Sequence, residues 1–550
     1  MVNTKPMASD PEQPSFAKEG SSFGEVGSAR EPLLVGVHDS ERYSVSAAIL
    51  PFIQRTVISV SGVMFTMFAG WKNLLFVKVK LRMAVVRCIV VGKWSLQFLF
   101  PAFGGLLFGY DIGATSSATI SIESSTLSGI SWYNLSSIEI GLLTSGSLYG
   151  ALIGSVLAFN VADFLGRRRE LILAALLYFV GALVTAFAPD FPVLVLGRLI
   201  YGIGIGLAMH AAPMYIAETA PTPIRGQLIS LKEFFIVLGM VAGYVIGSLF
   251  VVTVAGWRYM YGVSSPIAII MGLGMWWLPA SPRWLLLRAV QGKGDVQNSK
   301  DIAIRSLCQL RGQASGDSAH GQVDEILAEL SYIGKEKEAT FGELFQGKCL
   351  KALWIGAGLV LFQQITGQPS VLYYAASIFQ SAGFSGASDA TRVSILLGAF
   401  KLIMTGVAVL IVDKLGRRPL LLGGVSGIVI SLFLMGSYYV FLDNSPVIAV
   451  VGLLLYVGCY QISFGPIGWL MIAEIFPLRL RGRGLGIAVL VNFGANALVT
   501  FAFSPLEELL GAGILFYIFC VIAVASLAFI YLVVPETKGL TLEEIEAKCL

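Results

Sequence analysis

The sequence predicts an all-α membrane protein of twelve transmembrane helices, arranged as two pseudo-symmetric halves of six. Three observations predict it. Of 550 residues, 56% are hydrophobic and 13% charged, and the mean hydropathy is +0.77, which leaves too little charge to cover a water-soluble surface of this size. Apolar runs near the ~20 residues that cross a bilayer recur along the chain, and they must be helical because lipid offers no partner to unpaired backbone groups. Charged signatures also repeat at long range. Asp163-Phe164-Leu165-Gly166-Arg167-Arg168 returns 250 residues later as Asp413-Lys414-Leu415-Gly416-Arg417-Arg418. Ala217-Glu218, Pro221 and Arg225-Gly226 return 256 residues later as Ala473-Glu474, Pro477 and Arg481-Gly482, and Pro279 to Arg283 is matched at the same spacing by Pro535 to Gly539. Two membrane halves with the same charged turns are the pattern of a machine that rocks one half against the other, a transporter architecture.

Taken in order, residues 1–44 are polar and rich in Ser, Glu, Gly and Pro, as in a disordered cytosolic tail. Glu31-Pro32-Leu33-Leu34 there resembles an acidic dileucine sorting signal with the acid too close to the leucines. Residues 45–94 form an atypical basic and apolar insert. The stretch 53–97 carries Arg55, Lys72, Lys78, Lys80, Arg82, Arg87 and Lys93 without one acid. It reads as a surface-lying amphipathic segment, as an extra spanning helix, or as an artefact of the gene model; the last is favoured because the flanking signatures do not need it. The N-terminal half, 95–279, holds spans at about 95–115, 139–160, 171–189, 193–216, 228–252 and 258–279. A cytosolic linker with short helices follows over 280–350, its Val323 to Leu330 stretch having helical apolar spacing. The C-terminal half, 351–534, holds spans at about 351–379, 392–412, 419–441, 446–473, 484–504 and 512–534, and a short tail closes the chain at 535–550.

Lys and Arg are missing from the connections at 116–138, 188–192, 380–390, 441–446 and 503–511, whereas the alternate ones hold Arg167–Arg169, Arg225, Arg417 with Arg418, and Arg479–Arg483. The positive-inside rule therefore places the basic connections and both termini in the cytosol. The glycosylation sequon at Asn134-Leu135-Ser136 in the first opposite loop agrees with that orientation. The six scattered cysteines show neither metal nor redox spacing. No metal site, cofactor, nucleotide motif, nucleic-acid surface or nucleophile constellation is evident, which argues against an enzyme.

Ionisable residues inside apolar spans are functional candidates by default. Asp111 lies in Phe108-Gly109-Tyr110-Asp111 of the first span, Arg198 opens the fourth, Lys232 and Glu233 lie in the fifth and Lys401 in the eighth. A carboxylate beside a guanidinium keeps its charge and one in an apolar cavity takes up a proton, so movement of Asp111 relative to Arg198 would couple proton uptake to conformation. Gly202, Gly204 and Gly206 suit close helix packing rather than nucleotide binding, and His210 reads as a packed or hydrogen-bonded residue rather than a proton relay. Glu218 with Arg167 or Arg225, and Glu474 with Arg417 or Arg481, read as gating ion pairs on the cytosolic face, with Asp163 and Asp413 in the same repeated signatures.

These motifs in combination resemble the sugar porters of the major facilitator superfamily. The resemblance spans roughly 99–550 and rests on Gly105 to Asp111, Asp163 to Arg169, Gly197-Arg198, Pro213 with Tyr215 and Glu218, Ser281-Pro282-Arg283, Gln363-Gln364-Ile365-Thr366-Gly367, Gly465-Pro466 with Trp469, and Pro535 to Gly539. The chain looks most like the plant branch of D-xylose-proton symporter-like and vacuolar glucose transporters. The resemblance implies the major facilitator fold and a sugar site between the halves, with Gln363, Gln364, Tyr373 and Asn492 as polar lining, Trp469 as the stacking aromatic and Phe108 near the coupling carboxylate. It also implies that Asp111 is the proton-coupling residue and Arg198 its partner. Four departures from the pattern stand out. Glu233 replaces a sugar-contacting Gln, Lys401 replaces an Asn, Gln368-Pro369 replaces Ile-Asn, removing one amide and moving the helix break, and Ala280 replaces an acid. Glu233 and Lys401, on helices expected to adjoin across the halves, read as a compensated pair. The implied partners are a monosaccharide, a proton and the bilayer around a monomer. The implied membrane is the tonoplast, with the plasma membrane and plastid envelope as alternatives, and a proton-independent facilitator or a non-transporting sugar sensor are the alternative functions.

Overall fold

The structure is a computed structural model. It divides into two units, Met1–Asn73 and Leu74–Leu550. It describes residues 95–538 except 221–224, 293–294, 312–316, 334–340, 385, 442–445 and 477–480, together with some side chains within helices. The tail, the basic insert and the sequence readings placed on them lie outside the described residues.

The described residues are almost entirely helical. The N-terminal half comprises α1 (Ser95–Glu123), α2 (Ser137–Leu165), α3 (Arg167–Ala186), α4 (Phe191–Thr219), α5 (Arg225–Phe250), α6 (Gly256–Gly262) and α7 (Ser264–Trp277). The linker contributes α8 (Pro282–Val290), α9 (Val296–Arg311) and α10 (Asp317–Ile333). The C-terminal half comprises α11 (Gly347–Ile365), α12 (Gln368–Tyr373), α13 (Ala375–Ser381), α14 (Ala387–Leu415), α15 (Arg417–Phe441), α16 (Pro446–Ile462), α17 (Phe464–Ile475), α18 (Arg481–Leu510) and α19 (Ala512–Val533). Among the described residues, eleven candidate spans are long and apolar enough to cross a membrane, and α6 with α7, bent by 58° from α8, supplies a twelfth.

Within the halves α1 packs on α5, α2 and α3 on α4, and α15 on α16 and α19. Between the halves the seams are α2 against α18 and α5 against α14. The outward faces carry exposed apolar side chains such as Leu273, Trp276, Trp277, Leu498 and Val521, as lipid-facing surface requires. The linker helices enclose a small core of their own around Leu286, Ile304, Leu307 and Val323.

Three spans read as single helices are broken. The sixth breaks at Val263, the seventh at Thr366-Gly367 and again at Tyr374, and the tenth at Ser463. Gly367 has φ +91°, a left-handed conformation that favours glycine, and Pro369 falls in the first turn of α12, where its missing N–H costs nothing. The seventh span thus breaks before the proline rather than at it. Helices α1 and α18 also run past their expected ends to Glu123 and Leu510. The added turns of α1 hold Ser116, Ser117, Thr119 and Ser121, all buried, so polar residues that end a hydropathy run here line a protein seam.

Candidate functional site

Small residues let the first two charged positions meet. A Cβ at Gly202 would run into the Ser147 carbonyl and Gly150, so α4 lies directly on α2 and delivers Arg198 to the interior. Arg198 is 1% and Asp111 3% exposed, and Arg198 Nη1 is paired with Asp111 Oδ1. Arg198 Nε donates to the Leu143 carbonyl (3.1 Å), and Nη2 reaches the Thr144 carbonyl (3.3 Å) and Ser147 Oγ (3.1 Å). Ser147 Oγ donates in turn to Asp111 Oδ2 at 2.7 Å. The Tyr261 ring lies 5.3 Å from the guanidinium carbon. A buried charge survives only when paired and hydrogen-bonded, and this site meets both conditions. A cavity of about 10 Å³, room for one water molecule, adjoins the pair and is bordered by Tyr110, Thr185, Tyr201, Tyr261 and Ser264.

The second cluster is built on α11 and α18. Gln364 Nε2 donates to Asn492 Oδ1 at 2.5 Å, and Gln363 Nε2 donates to the Phe464 carbonyl at 3.1 Å. These bonds fix the amide planes and leave Gln363 Oε1 and Gln364 Oε1 buried without a hydrogen-bond partner. Gln363 Oε1 faces Gly468, next to Trp469. Phe108 of the N-terminal half meets Phe493, beside Asn492, with ring centroids 6.1 Å apart. Oriented amides with spare acceptors beside aromatic rings suit a ligand with hydroxyls on its edge and C–H groups on its faces.

Tyr373 is buried, and its hydroxyl has no hydrogen-bond partner. Lys401, 7% exposed, lies within electrostatic reach of Glu233, which also acts on Lys232, but no direct salt bridge joins Glu233 and Lys401. His210 Nδ1 is 3.0 Å from Glu170 Oε1, an ion pair when the ring is protonated.

At the basic face, Arg167 Nε is 3.0 Å from Glu218 Oε1 and Arg417 Nη2 is 3.0 Å from Glu474 Oε1. Each pair lies within one half and repeats the other. Thr537 Oγ1 donates to Glu474 Oε2 at 2.6 Å, and the Glu536 carboxylate accepts from the backbone N–H groups of Arg417 and Arg418 at 3.1 and 3.0 Å, a favourable place for an anion at a helix start. The side chains of Asp163, Arg225, Asp413 and Arg481 lie outside the described residues.

On the opposite face the halves are joined. The Ala376 N–H donates to Ser116 Oγ (3.0 Å), Tyr244 Oη donates to the Leu372 carbonyl (2.7 Å), and Thr144 Oγ1 is 2.6 Å from Tyr374 Oη. Sequence reasoning missed Thr144 and Ser147. They lie three residues apart on α2, a helical spacing that puts both toward Arg198, but hydroxyls in a small-residue helix carry no charge to flag them. It also counted the Gln368-Pro369 change only as the loss of an amide, yet Gln368 itself is 6% exposed with Nε2 buried and unpartnered.

With this geometry in view, residues 98–548 match the family model described as Sugar (and other) transporter. The chain belongs to the sugar transporter family. It is therefore a membrane transporter rather than an enzyme, with the major facilitator fold. The sugar transporter is 68% identical over 549 residues to D-xylose-proton symporter-like 2 of Arabidopsis thaliana, covering 99% of this chain and 100% of that one. It is 64% identical over 464 residues to D-xylose-proton symporter-like 3, chloroplastic, of the same plant, covering 83% of each chain. Among solved structures it is similar to the inward open conformation of the xylose transporter XylE from E. coli, with 31% identity, a TM-score of 0.67, and coverage of 82% of this chain and 98% of that one.

Proposed function

We propose that this chain moves a monosaccharide of the glucose and xylose class by alternating access, and that Asp111 couples the movement to a proton. The observation that carries the reading is the buried Asp111–Arg198 pair, held by Ser147, in one half, while the other half presents the unsatisfied amides of Gln363 and Gln364 beside Asn492 and Trp469. A carboxylate that is charged when paired and neutral when released is a proton carrier, and two halves that rock about a shared site give the proton and the sugar one conformational cycle. Phe108 and Tyr373 close the site from either half, and Glu233 with Lys401 sets charge at its edge. Arg167 with Glu218 and Arg417 with Glu474 brace the helices of each half at the cytosolic face, where Arg225, Arg481, Asp163 and Asp413 belong to the same gates. The transporting unit is one chain, because both halves are covalently present. The membrane is the tonoplast, both termini are cytosolic, and the chloroplastic relative makes the plastid envelope the first alternative.

The test is uptake of labelled glucose and xylose into proteoliposomes with and without an imposed pH gradient, for wild type and Asp111→Asn. Accumulation above equilibrium that needs both the gradient and Asp111 is expected. Equilibration indifferent to both would make the chain a proton-independent facilitator. Binding without uptake would make it a sensor.

A further inference from the structure

The buried carboxylate and the closed outer face are connected through α2. Arg198, while paired with Asp111, holds the carbonyl oxygens of Leu143 and Thr144 at 3.1 and 3.3 Å. The Thr144 side chain, on the same turn, stands 2.6 Å from the hydroxyl of Tyr374, and the Thr500 carbonyl stands 3.2 Å from that hydroxyl on its other side. Thr144 is 0% and Tyr374 2% exposed. Tyr374 marks the second break of the seventh span, between α12 and α13, and its ring stacks on Phe503 with centroids 4.7 Å apart. A continuous polar chain therefore runs from Asp111 and Arg198 in the N-terminal half, through one turn of α2, to the jointed helix that closes the C-terminal half.

We infer that Thr144 and Tyr374 are positioning residues that transmit the protonation state of Asp111 to the closure of the outer face. This rests on the proton-coupling reading above. When Asp111 takes up a proton from a hydronium ion of the medium, one O–H bond breaks in the hydronium, one forms on the carboxyl, and the proton stays there until it is released to water. The charge that holds Arg198 is then gone, the guanidinium relaxes its hold on the α2 carbonyls, and Thr144 moves against Tyr374. The titratable and charged groups around Asp111 are Arg198 and the hydroxyls of Tyr110, Tyr178, Tyr201, Tyr261 and Tyr373. Arg198 is the member of that set that also grips α2. Neither Thr144 nor Tyr374 belongs to the amide cluster.

The experiment compares two readouts in proteoliposomes, namely accumulation driven by a pH gradient and sugar counterflow without one. Thr144→Val keeps the shape and removes the hydroxyl. It is expected to keep counterflow within about twofold and to lose about tenfold in accumulation ratio, the upper range of one buried hydrogen bond. The pH dependence of its counterflow is expected to flatten. Thr144→Ser restores the hydroxyl and is expected to behave as wild type in both assays. Tyr374→Phe is expected to reproduce Thr144→Val, and the double variant to be no worse than either single one. Wild-type accumulation by Thr144→Val would overturn the inference, as would equal losses of counterflow and accumulation in both Thr144 variants. Should wild type fail to accumulate, or Asp111→Asn accumulate as wild type does, the proton-coupling reading falls and takes this inference with it.

Discussion

Gln363 and Gln364 illustrate how a site is prepared one residue at a time. Each spends its amide nitrogen on a protein partner, the Phe464 carbonyl and Asn492 Oδ1, and keeps its oxygen unpaired in a buried place. A buried acceptor without a donor is costly, and in the proposed function a sugar hydroxyl would remove that cost on binding. Gln364→Ala deletes both the acceptor and the Asn492 bond, so it is expected to raise the sugar concentration for half-maximal counterflow by about fivefold, near 1 kcal/mol for one neutral hydrogen bond. Asn492→Ala should do the same through the freed amide, and combining the two should add little because they share one interaction. Counterflow titrations on the three variants check this. Unchanged half-saturation in Gln364→Ala would remove it from the sugar site.

At the scale of the element, the broken seventh span matters most. Gly367 adopts φ +91° and its face is closed by Phe519, whose ring carbons would lie 2.8 Å from an added Cβ. Gly367→Ala therefore meets a left-handed backbone penalty of about 1–2 kcal/mol together with a clash. It is expected to lower the melting temperature of the detergent-purified protein by several degrees, and thermal unfolding followed by tryptophan fluorescence measures it. A wild-type melting temperature would mean that the break is not held by this residue. Such joints were poorly legible in the sequence, whereas the spans themselves were plain. Hydropathy counts apolar residues whether or not the helix is continuous, and membrane helices tolerate Gly and Pro because neighbours re-satisfy the freed backbone groups. The same blindness ended α1 too early, because buried Ser and Thr at a protein seam have the hydropathy of a loop. Charged residues were legible for the opposite reason. Asp111, Arg198 and the Arg167 and Arg417 signatures stood out against an apolar background, and the structure pairs Asp111 with Arg198, Arg167 with Glu218 and Arg417 with Glu474. Neutral hydroxyls such as Thr144 and Ser147 have no such contrast.

For the whole molecule, the question is how two halves stay complementary while they move. The seams are α2 against α18 and α5 against α14, and the second carries opposite charges, Glu233 on α5 and buried Lys401 on α14. They act on each other without a direct salt bridge, with Lys232 as a second cation beside Glu233. A seam that must slide is better served by attraction across a gap than by a locked pair, which would have to be broken in every cycle. Removing one charge leaves the other facing low-dielectric surroundings alone. Glu233→Gln and Lys401→Asn are thus each expected to slow transport about tenfold, and the double variant to recover to within about threefold of wild type, a coupling of about 2 kcal/mol as found between residues in one electrostatic network. Initial uptake rates normalised to protein in the membrane, for wild type, both single variants and the double, give the coupling directly. If the losses of the two single variants simply multiply in the double, the charges work independently and the seam has no electrostatic match.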